Sequence, residues 1–147
     1  MTAERIRSTL ASAMPPALPN LGKKTTALKA RLDALPGAMG SPMNASRGTV
    51  PLVLIYKVMN KTFAILSVRE EEFVLLKCDP DSVPLLRERY DGIGHRSHLD
   101  PRHWIAVALD SDVPAKDVAT LARKSYDLVC AGLTAKQKAQ LAAAVRR

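Results

Sequence analysis

The chain has 147 residues, of which 47% are hydrophobic and 24% are charged, as in an ordinary globular domain. No apolar run approaches the roughly 18 residues that a membrane-spanning helix needs, so we expect no association with a membrane. The net charge of +8 favours a polyanionic partner such as nucleic acid. Lys and Arg outnumber acids by 7 to 2 over residues 1–50 and by 7 to 3 over residues 111–147, but not between them (8 to 9).

Before the first strand, two helices are predicted. Residues 2–14 can form a short amphipathic helix, which Pro15 and Pro16 end. They contain no continuous apolar segment of the secretory type, so we expect a cytoplasmic protein. A second helix runs up to Pro36-Gly37, because four leucines share one helix face: Leu21, Leu28, Leu32 and Leu35.

Residues 36–51 contain three glycines and three prolines without periodicity, which predicts a loop. Three strands follow, at 52–58, 61–68 and 73–78. Because only a few residues separate them, they can pair only as antiparallel hairpins.

Asp79-Pro80 predicts the start of a helix that runs to about Tyr90, or from Ser82 if Pro84 falls in the first turn. Residues 104–109 form an apolar strand. Pro114 opens the strongest helix, with Gly132 as its end, and its inward face is predicted to hold Val118, Leu121, Ala122, Ser125, Leu128 and Val129.

Thr134 and Gln137 form a capping box for a last helix. The order of elements predicts an α+β fold: a single antiparallel sheet with helices mostly on one face.

Residues 94–110 hold all three histidines and the only tryptophan. His95, His98, Asp100 and His103 have metal-ligand chemistry. On an extended segment, however, His95 and His98 point to opposite faces, so surface histidines at a turn are the simpler interpretation. The thiol of Cys78 could act with His98 as a nucleophile and base, but a cysteine at the end of an apolar strand is more commonly inert core. Cys78 and Cys130 have neither CxxC nor zinc spacing, which favours reduced thiols.

Basic residues at strand ends suggest instead a nucleic-acid interface, since hairpins with basic tips can reach phosphates. The candidate residues are Lys57, Lys61, Lys77, Arg96, His98, Arg102 and His103. Lysines at strand edges that discourage sheet pairing are the alternative. We expect Trp104 to be buried between the sheet and the helix after Pro114; the alternative is an exposed stacking platform.

Several segments together resemble the MmcQ/YjbR family over about residues 22–133: KVMNKTFA (57–64), LLKCDP (75–80), RHW (102–104), and Ser125-Tyr126 with Leu128-Val129. The resemblance implies a frataxin-like (CyaY-like) α+β fold whose sheet carries a "double wing" DNA-binding arrangement. Frataxins bind iron through an acidic helix and ridge, whereas the helices that flank this core are basic, which argues against iron.

The chain departs from the family pattern in the loop 36–51, which lacks the usual acids, and at Ser97, where Tyr is common. The expected organisation is an extension (1–20), a family-like domain (21–133) and a helical extension (134–147). We expect a non-enzymatic DNA-binding protein without metal or cofactor. The alternative is a regulatory module whose sheet binds a protein or a small ligand.

Overall fold

The computed structural model of the chain describes residues 22–42, 53–68, 71–95 and 99–145. The strands are β1 (Ala38–Pro42), β2 (Val53–Val58), β3 (Lys61–Ser67), β4 (Phe73–Lys77), β5 (Ile93–Gly94) and β6 (Trp104–Ala108). The helices are α1 (Lys23–Ala34), α2 (Ser82–Arg89), α3 (Ala115–Ala131) and α4 (Ala135–Val145). The strands form one sheet in the order β1-β2-β3-β4-β6-β5, and every neighbouring pair is antiparallel. The predicted α+β fold is confirmed.

Helix α1 follows the leucine spacing, since Leu28 and Leu32 are its buried apolar residues. It is tied to the sheet through Asp33, whose carboxylate accepts a hydrogen bond from the Tyr56 hydroxyl at 2.7 Å. Gly37 turns the chain out of α1 with a φ of 73°, a left-handed conformation that glycine adopts without strain. The helix predicted over residues 2–14 lies outside the described residues.

Strand β1 corrects the prediction of a continuous loop over residues 36–51. It pairs with β2 along its whole length, from Ala38 opposite Val58 to Pro42 opposite Leu54. A β carbon at Gly40 would lie 2.7 Å from the ring of Tyr56, so only glycine allows that ring to pack beneath the strand. Proline is tolerated because β1 is an edge strand. This strand depends on contacts with its partner, and its own sequence carries no strand pattern.

The hairpins of β2, β3 and β4 are confirmed, each within one residue of the predicted bounds. The pairing of β2 with β3 contains a bulge: Tyr56 lies opposite Ala64 but Lys57 lies opposite Thr62, so Phe63 is an extra residue. Phe63 is fully buried, and its ring meets that of Tyr126 edge-on at 5.4 Å.

Helix α2 begins at Ser82, so Pro84 falls in the first turn, as the sequence allowed. The carboxylate of Asp79 accepts a hydrogen bond from the backbone N–H of Ser82 at 3.0 Å and thereby fixes the start of the helix. Strand β5 then pairs with β6, Ile93 opposite Val107 and Gly94 opposite Ala106.

Helix α3 packs against the centre of the sheet, and its inward face differs from the prediction at two positions. Tyr126 is buried, whereas Leu128, which was expected inside, is 37% exposed. Tyr126 is held inward by a hydrogen bond from its hydroxyl to the carbonyl of Pro36, and burial raises its pKa to about 12. The capping box before α4 is confirmed by reciprocal hydrogen bonds between Thr134 and Gln137 at 3.0 and 3.1 Å.

Along each strand, alternate residues face opposite sides of the sheet. We call the side that packs against α1 and α3 the inner face; it carries Leu54, Leu66, Leu76, Ile105 and Val107, each at most 1% exposed. We call the opposite side the outer face; a row of paired residues crosses it on four strands, namely Ile55, Ile65, Leu75 and Ala106. None of these four belongs to the core cluster of the inner face. In the described ranges, no helix has both the length and the apolarity to cross a bilayer.

Candidate nucleic-acid interface

The antiparallel order brings several of the predicted basic residues to one end of the sheet, which we call the basic end. Strand β2 finishes there after Lys57, β3 starts there with Lys61, β4 finishes there with Lys77, and β6 starts there after Arg102 and His103. The predicted candidates Arg96 and His98 lie outside the described residues.

A tight turn forms the tip of the β2–β3 hairpin. Its two residues, Met59 and Asn60, both have positive φ, 49° and 68°, the conformation that two-residue hairpin turns prefer. Lys61 lies opposite Val58, which belongs to the inner face, whereas Lys57 belongs to the outer face. Both lysines are exposed, but they project from different sides of the tip. The structure therefore separates two residues that the sequence grouped together.

Lys77 and Trp104 lie directly opposite each other on β4 and β6. Since Leu76 and Ile105 belong to the inner face, the neighbouring Lys77 and Trp104 belong to the outer face, where both are half-buried. Directly opposite residues in an antiparallel pair have β carbons about 5 Å apart, so a cationic chain stands beside the indole.

The expectation that Trp104 packs between the sheet and α3 is wrong. Ile105 and Val107 are the residues of β6 that fill the inner face, and Trp104 lies outside the core cluster to which α3 contributes. The segment from Trp104 to Leu109 is apolar at both parities, so its sequence did not indicate which residues face the helices.

The turn before β6 is organised by Asp100. Its carboxylate accepts a hydrogen bond from the backbone N–H of Arg102 at 2.9 Å, and this bond, ahead of the nearby charges, lowers the pKa of Asp100. The Arg102 side chain is 79% exposed, with its Nε 3.5 Å from Asp100 Oδ1. His103 Nε2 lies 3.9 Å from Asp100 Oδ2, an ion pair when the imidazole is protonated. Asp100 thus positions these cations and offsets part of their charge.

A serine of α3 stabilises the basic end from the inner side. The paired residues of β3 and β4 end with Ala64 opposite Leu76, and the Ser125 hydroxyl bridges the strands beyond that pair. It accepts a hydrogen bond from the backbone N–H of Lys77 at 2.8 Å and donates one to the carbonyl of Phe63 at 2.5 Å. Ser125 is fully buried, so α3 fixes the backbone that carries Lys77.

The other end of the sheet is acidic. A depression of about 650 Å³ lies there, and we call the residues that line it the acidic end. They are Glu71, Glu72, Asp91, Asp110 and Asp112, together with Gly92, Ala108 and Ser111. Much of this charge has a structural use. Glu72 accepts a hydrogen bond from Gly22 N–H at 2.9 Å, and the two backbone N–H groups of Asp91 and Gly92 donate to Asp112. This end of the sheet was not predicted from the sequence, although acidic residues both before β4 and after β6 indicate it.

The alternative sites are not favoured by the geometry. Within the described ranges, no three His, Cys, Asp or Glu side chains are close enough to hold a metal ion. His95 Nε2 lies 2.8 Å from the carbonyl of Leu99. Burial, ahead of the nearby Asp79, raises the pKa of the Cys78 thiol, which is the opposite of the activation that a nucleophile needs.

Comparison with known proteins identifies relatives over most of this region. The family model YjbR matches residues 34–128. The uncharacterized protein YjbR of Escherichia coli strain K12 is 32% identical over 94 residues, which cover 63% of this chain and 75% of that protein. The uncharacterized protein YbdF of Escherichia coli O157:H7 is 28% identical over 85 residues, which cover 57% of this chain and 70% of that protein.

Solved structures agree with the fold. The crystal structure of the Deinococcus radiodurans protein DR2400, a DUF419 domain, superimposes on this chain with a TM-score of 0.69. The two sequences are 28% identical, and the match covers 83% of this chain and 92% of that one. A Pseudomonas syringae protein, 24% identical with a TM-score of 0.50 over 60% of this chain and 86% of that one, is similar in fold. The more detailed frataxin-like assignment stays a prediction. Because the family model covers well over half of the sequence, the chain belongs to the YjbR family.

Proposed function

We propose that the protein is a small, non-enzymatic, cytoplasmic protein that binds nucleic acid at the basic end of its sheet. DNA is the polymer that the family resemblance implies. The observation that carries the proposal is the register of the strands, which collects Lys57, Lys77 and the indole of Trp104 on one face at one end of the sheet.

The electrostatics of the two ends support this assignment. The lysines of the basic end extend from strand ends, where ammonium groups can reach phosphates without a major change of the backbone. Five carboxylates lie at the opposite end of the strands, whereas Asp79 and Asp81 after β4 and Asp100 before β6 lie at the basic end and offset part of its charge. A polyanion is therefore expected to approach the basic end first.

The test is binding of fluorescently labelled oligonucleotides, followed by anisotropy over a range of salt concentrations. The double variant Lys57→Ala/Lys77→Ala should bind more weakly and lower the slope of log affinity against log salt by about two, one for each phosphate that is no longer neutralised. The matched control is Lys23→Ala/Lys116→Ala, which removes the same charge from exposed lysines at the starts of α1 and α3. Absence of binding by the unaltered protein even at low salt would refute the proposal.

Lys61→Ala tests the tip separately, because this lysine projects from the inner side. A decrease in affinity equal to that of Lys57→Ala would place the polymer across the hairpin tip, and no decrease would place it on the outer face. If all three lysines can be removed without effect, binding lies elsewhere, with the basic termini as the next candidates.

A second function has one specific observation in its favour. The outer face is apolar at its centre, and Met39 beside Lys57 is 72% exposed, as expected of a surface that binds a protein or an apolar ligand. Salt distinguishes the two functions, since association driven by apolar contacts weakens little as salt rises, whereas phosphate binding weakens steeply.

A further inference from the structure

The outer face has the features of a platform for a flat, uncharged ring. Its central row of Ile55, Ile65, Leu75 and Ala106 is apolar on four adjacent strands, and Ile55 and Ile65 are the partly exposed members of the row. Leu75 and Ala106 are 7% and 2% exposed, although neither belongs to the core cluster of the inner face. The outer face is thus a second apolar layer.

Next to Trp104, the outer face carries small residues. The residue two positions further along β6 is Ala106, and its partner on β5 is Gly94. A β carbon built at Gly94 would have no atom of the described residues within 4 Å, so there is free space on the outer face at this position of β5. Gly94 lies diagonally across from the half-buried indole of Trp104 on the outer face, so the free space beside the indole is on the β5 side rather than over Ala106.

Two lysine side chains lie on the same face of the sheet as this region. Lys77 lies directly opposite Trp104, and Lys57 lies on the same face two strands beyond Lys77, about 10 Å away at normal strand spacing. An occupant that suits both features carries flat rings along a negatively charged backbone. A second copy of this chain is a poorer match, since each copy carries a net charge of +8 and would bring its own lysines to the contact.

Unpaired nucleic acid has this chemistry and duplex does not. In a duplex the faces of the bases are stacked on one another, whereas a single strand can present a base to an aromatic side chain. Every base has such a face, so the recognition would tolerate any sequence.

We propose that the outer face binds single-stranded nucleic acid, with one base stacked on Trp104 and the neighbouring phosphates contacted by Lys77 and Lys57. This rests on the proposed function and specifies its substrate: unpaired strands are preferred to duplex.

Because Trp104 is the only tryptophan in the sequence, the intrinsic fluorescence of the chain measures the stacking of a base on it directly. Intrinsic fluorescence is recorded while three probes are added to the full chain: a short oligothymidylate, a duplex of equal length, and an oligonucleotide of equal length in which the central nucleotides lack bases. We expect strong quenching by the oligothymidylate and little quenching by the other two. Equal quenching by the abasic strand would overturn the proposal, because phosphates alone would then account for the signal.

Two substitutions separate stacking from folding. Trp104→Leu should weaken oligothymidylate binding by roughly 5- to 150-fold and weaken duplex binding much less, whereas Trp104→Phe should retain most of the single-strand affinity. Anisotropy measures the affinities, and thermal melts check that both variants fold. Equal affinities of Trp104→Leu and the unaltered protein for oligothymidylate would refute stacking even if duplex still binds. Failure of every probe to bind at low salt would refute the proposed function as well.

Discussion

The two faces of the sheet are both apolar at their centres, but the side chains of the inner face pack against helices, whereas Ile55 and Ile65 on the outer face are partly exposed to solvent. Leu66 on the inner face is fully buried in the cluster shared with α1 and α3. Ile65, the next residue back along the same strand, is half-buried on the outer face, in a row that approaches Lys57 and Lys77. The inner face therefore supports the stability of the fold, and the outer face carries the candidate function. Apolar composition alone does not distinguish a core face from a binding face.

The largest expected effect contrasts these two neighbours. Leu66→Ala should destabilise the protein by about 3 kcal/mol, because it removes buried methyl groups and leaves a cavity. Ile65→Ala should cost about 1 kcal/mol, since its side chain is already partly in water. Urea unfolding of both variants gives the two values. Equal decreases in stability would contradict the division into an inner core face and an outer binding face.

A smaller effect is expected where α3 supports the basic end. Ser125→Ala should destabilise the protein by about 2 kcal/mol, because the Lys77 N–H and the Phe63 carbonyl both lose their buried partner. Thr120→Ala is the control on the same helix: its exposed hydroxyl donates to the carbonyl of Lys116 one turn back, and its removal should change stability by less than about 0.5 kcal/mol. Similar values for the two variants would show that the bridge is not needed.

The smallest expected effect on stability concerns Asp112 at the acidic end of the sheet. The backbone N–H groups of Asp91 and Gly92 donate to Asp112 at 2.9 and 2.8 Å and lower its pKa below the ordinary value. Because the folded-state pKa is the lower one, the ionised carboxylate stabilises the fold above the unfolded value of about 4, and this contribution disappears as the pH falls through the lowered pKa.

Asp112→Asn tests this pH dependence. The variant should be less stable than the unaltered protein at neutral pH, and the difference should shrink as the pH falls below about 4. Chemical denaturation at a series of pH values measures it. Two parallel stability curves over the acid range would contradict a role for the carboxylate charge.

Most of the elements could be predicted from the sequence, because local patterns specify them. The short links between β2, β3 and β4 allow only hairpins, the leucine spacing specifies α1, and the capping box specifies the start of α4. Strand β1 could not be predicted, since it depends on pairing with β2 and on the contact of Gly40 with a tyrosine ring distant in sequence.

Part of the candidate site could also be predicted. The lysines at strand ends were recognisable once the hairpins were assigned, because antiparallel order brings those ends together. The sides from which they project were not: the bulge at Phe63 sets the face of Lys61, and an apolar strand can bury either parity, so Trp104 was assigned to the wrong face. Both outcomes depend on non-local packing rather than on residue type.

Strands about 17 Å long separate Lys57, Lys61 and Lys77 from the five carboxylates of the acidic end, and these two groups contribute an electric dipole moment along the strand direction. The field of a polyanion exerts a torque on this dipole, which turns the lysines towards the polyanion before contact. Encounters are then pre-oriented, so the association rate constant should fall with ionic strength more steeply than net charge alone requires. Reversing one carboxylate of the acidic end to lysine would raise the net charge and reduce the dipole at the same time. Stopped-flow association rates of such a variant would separate orientation from simple attraction.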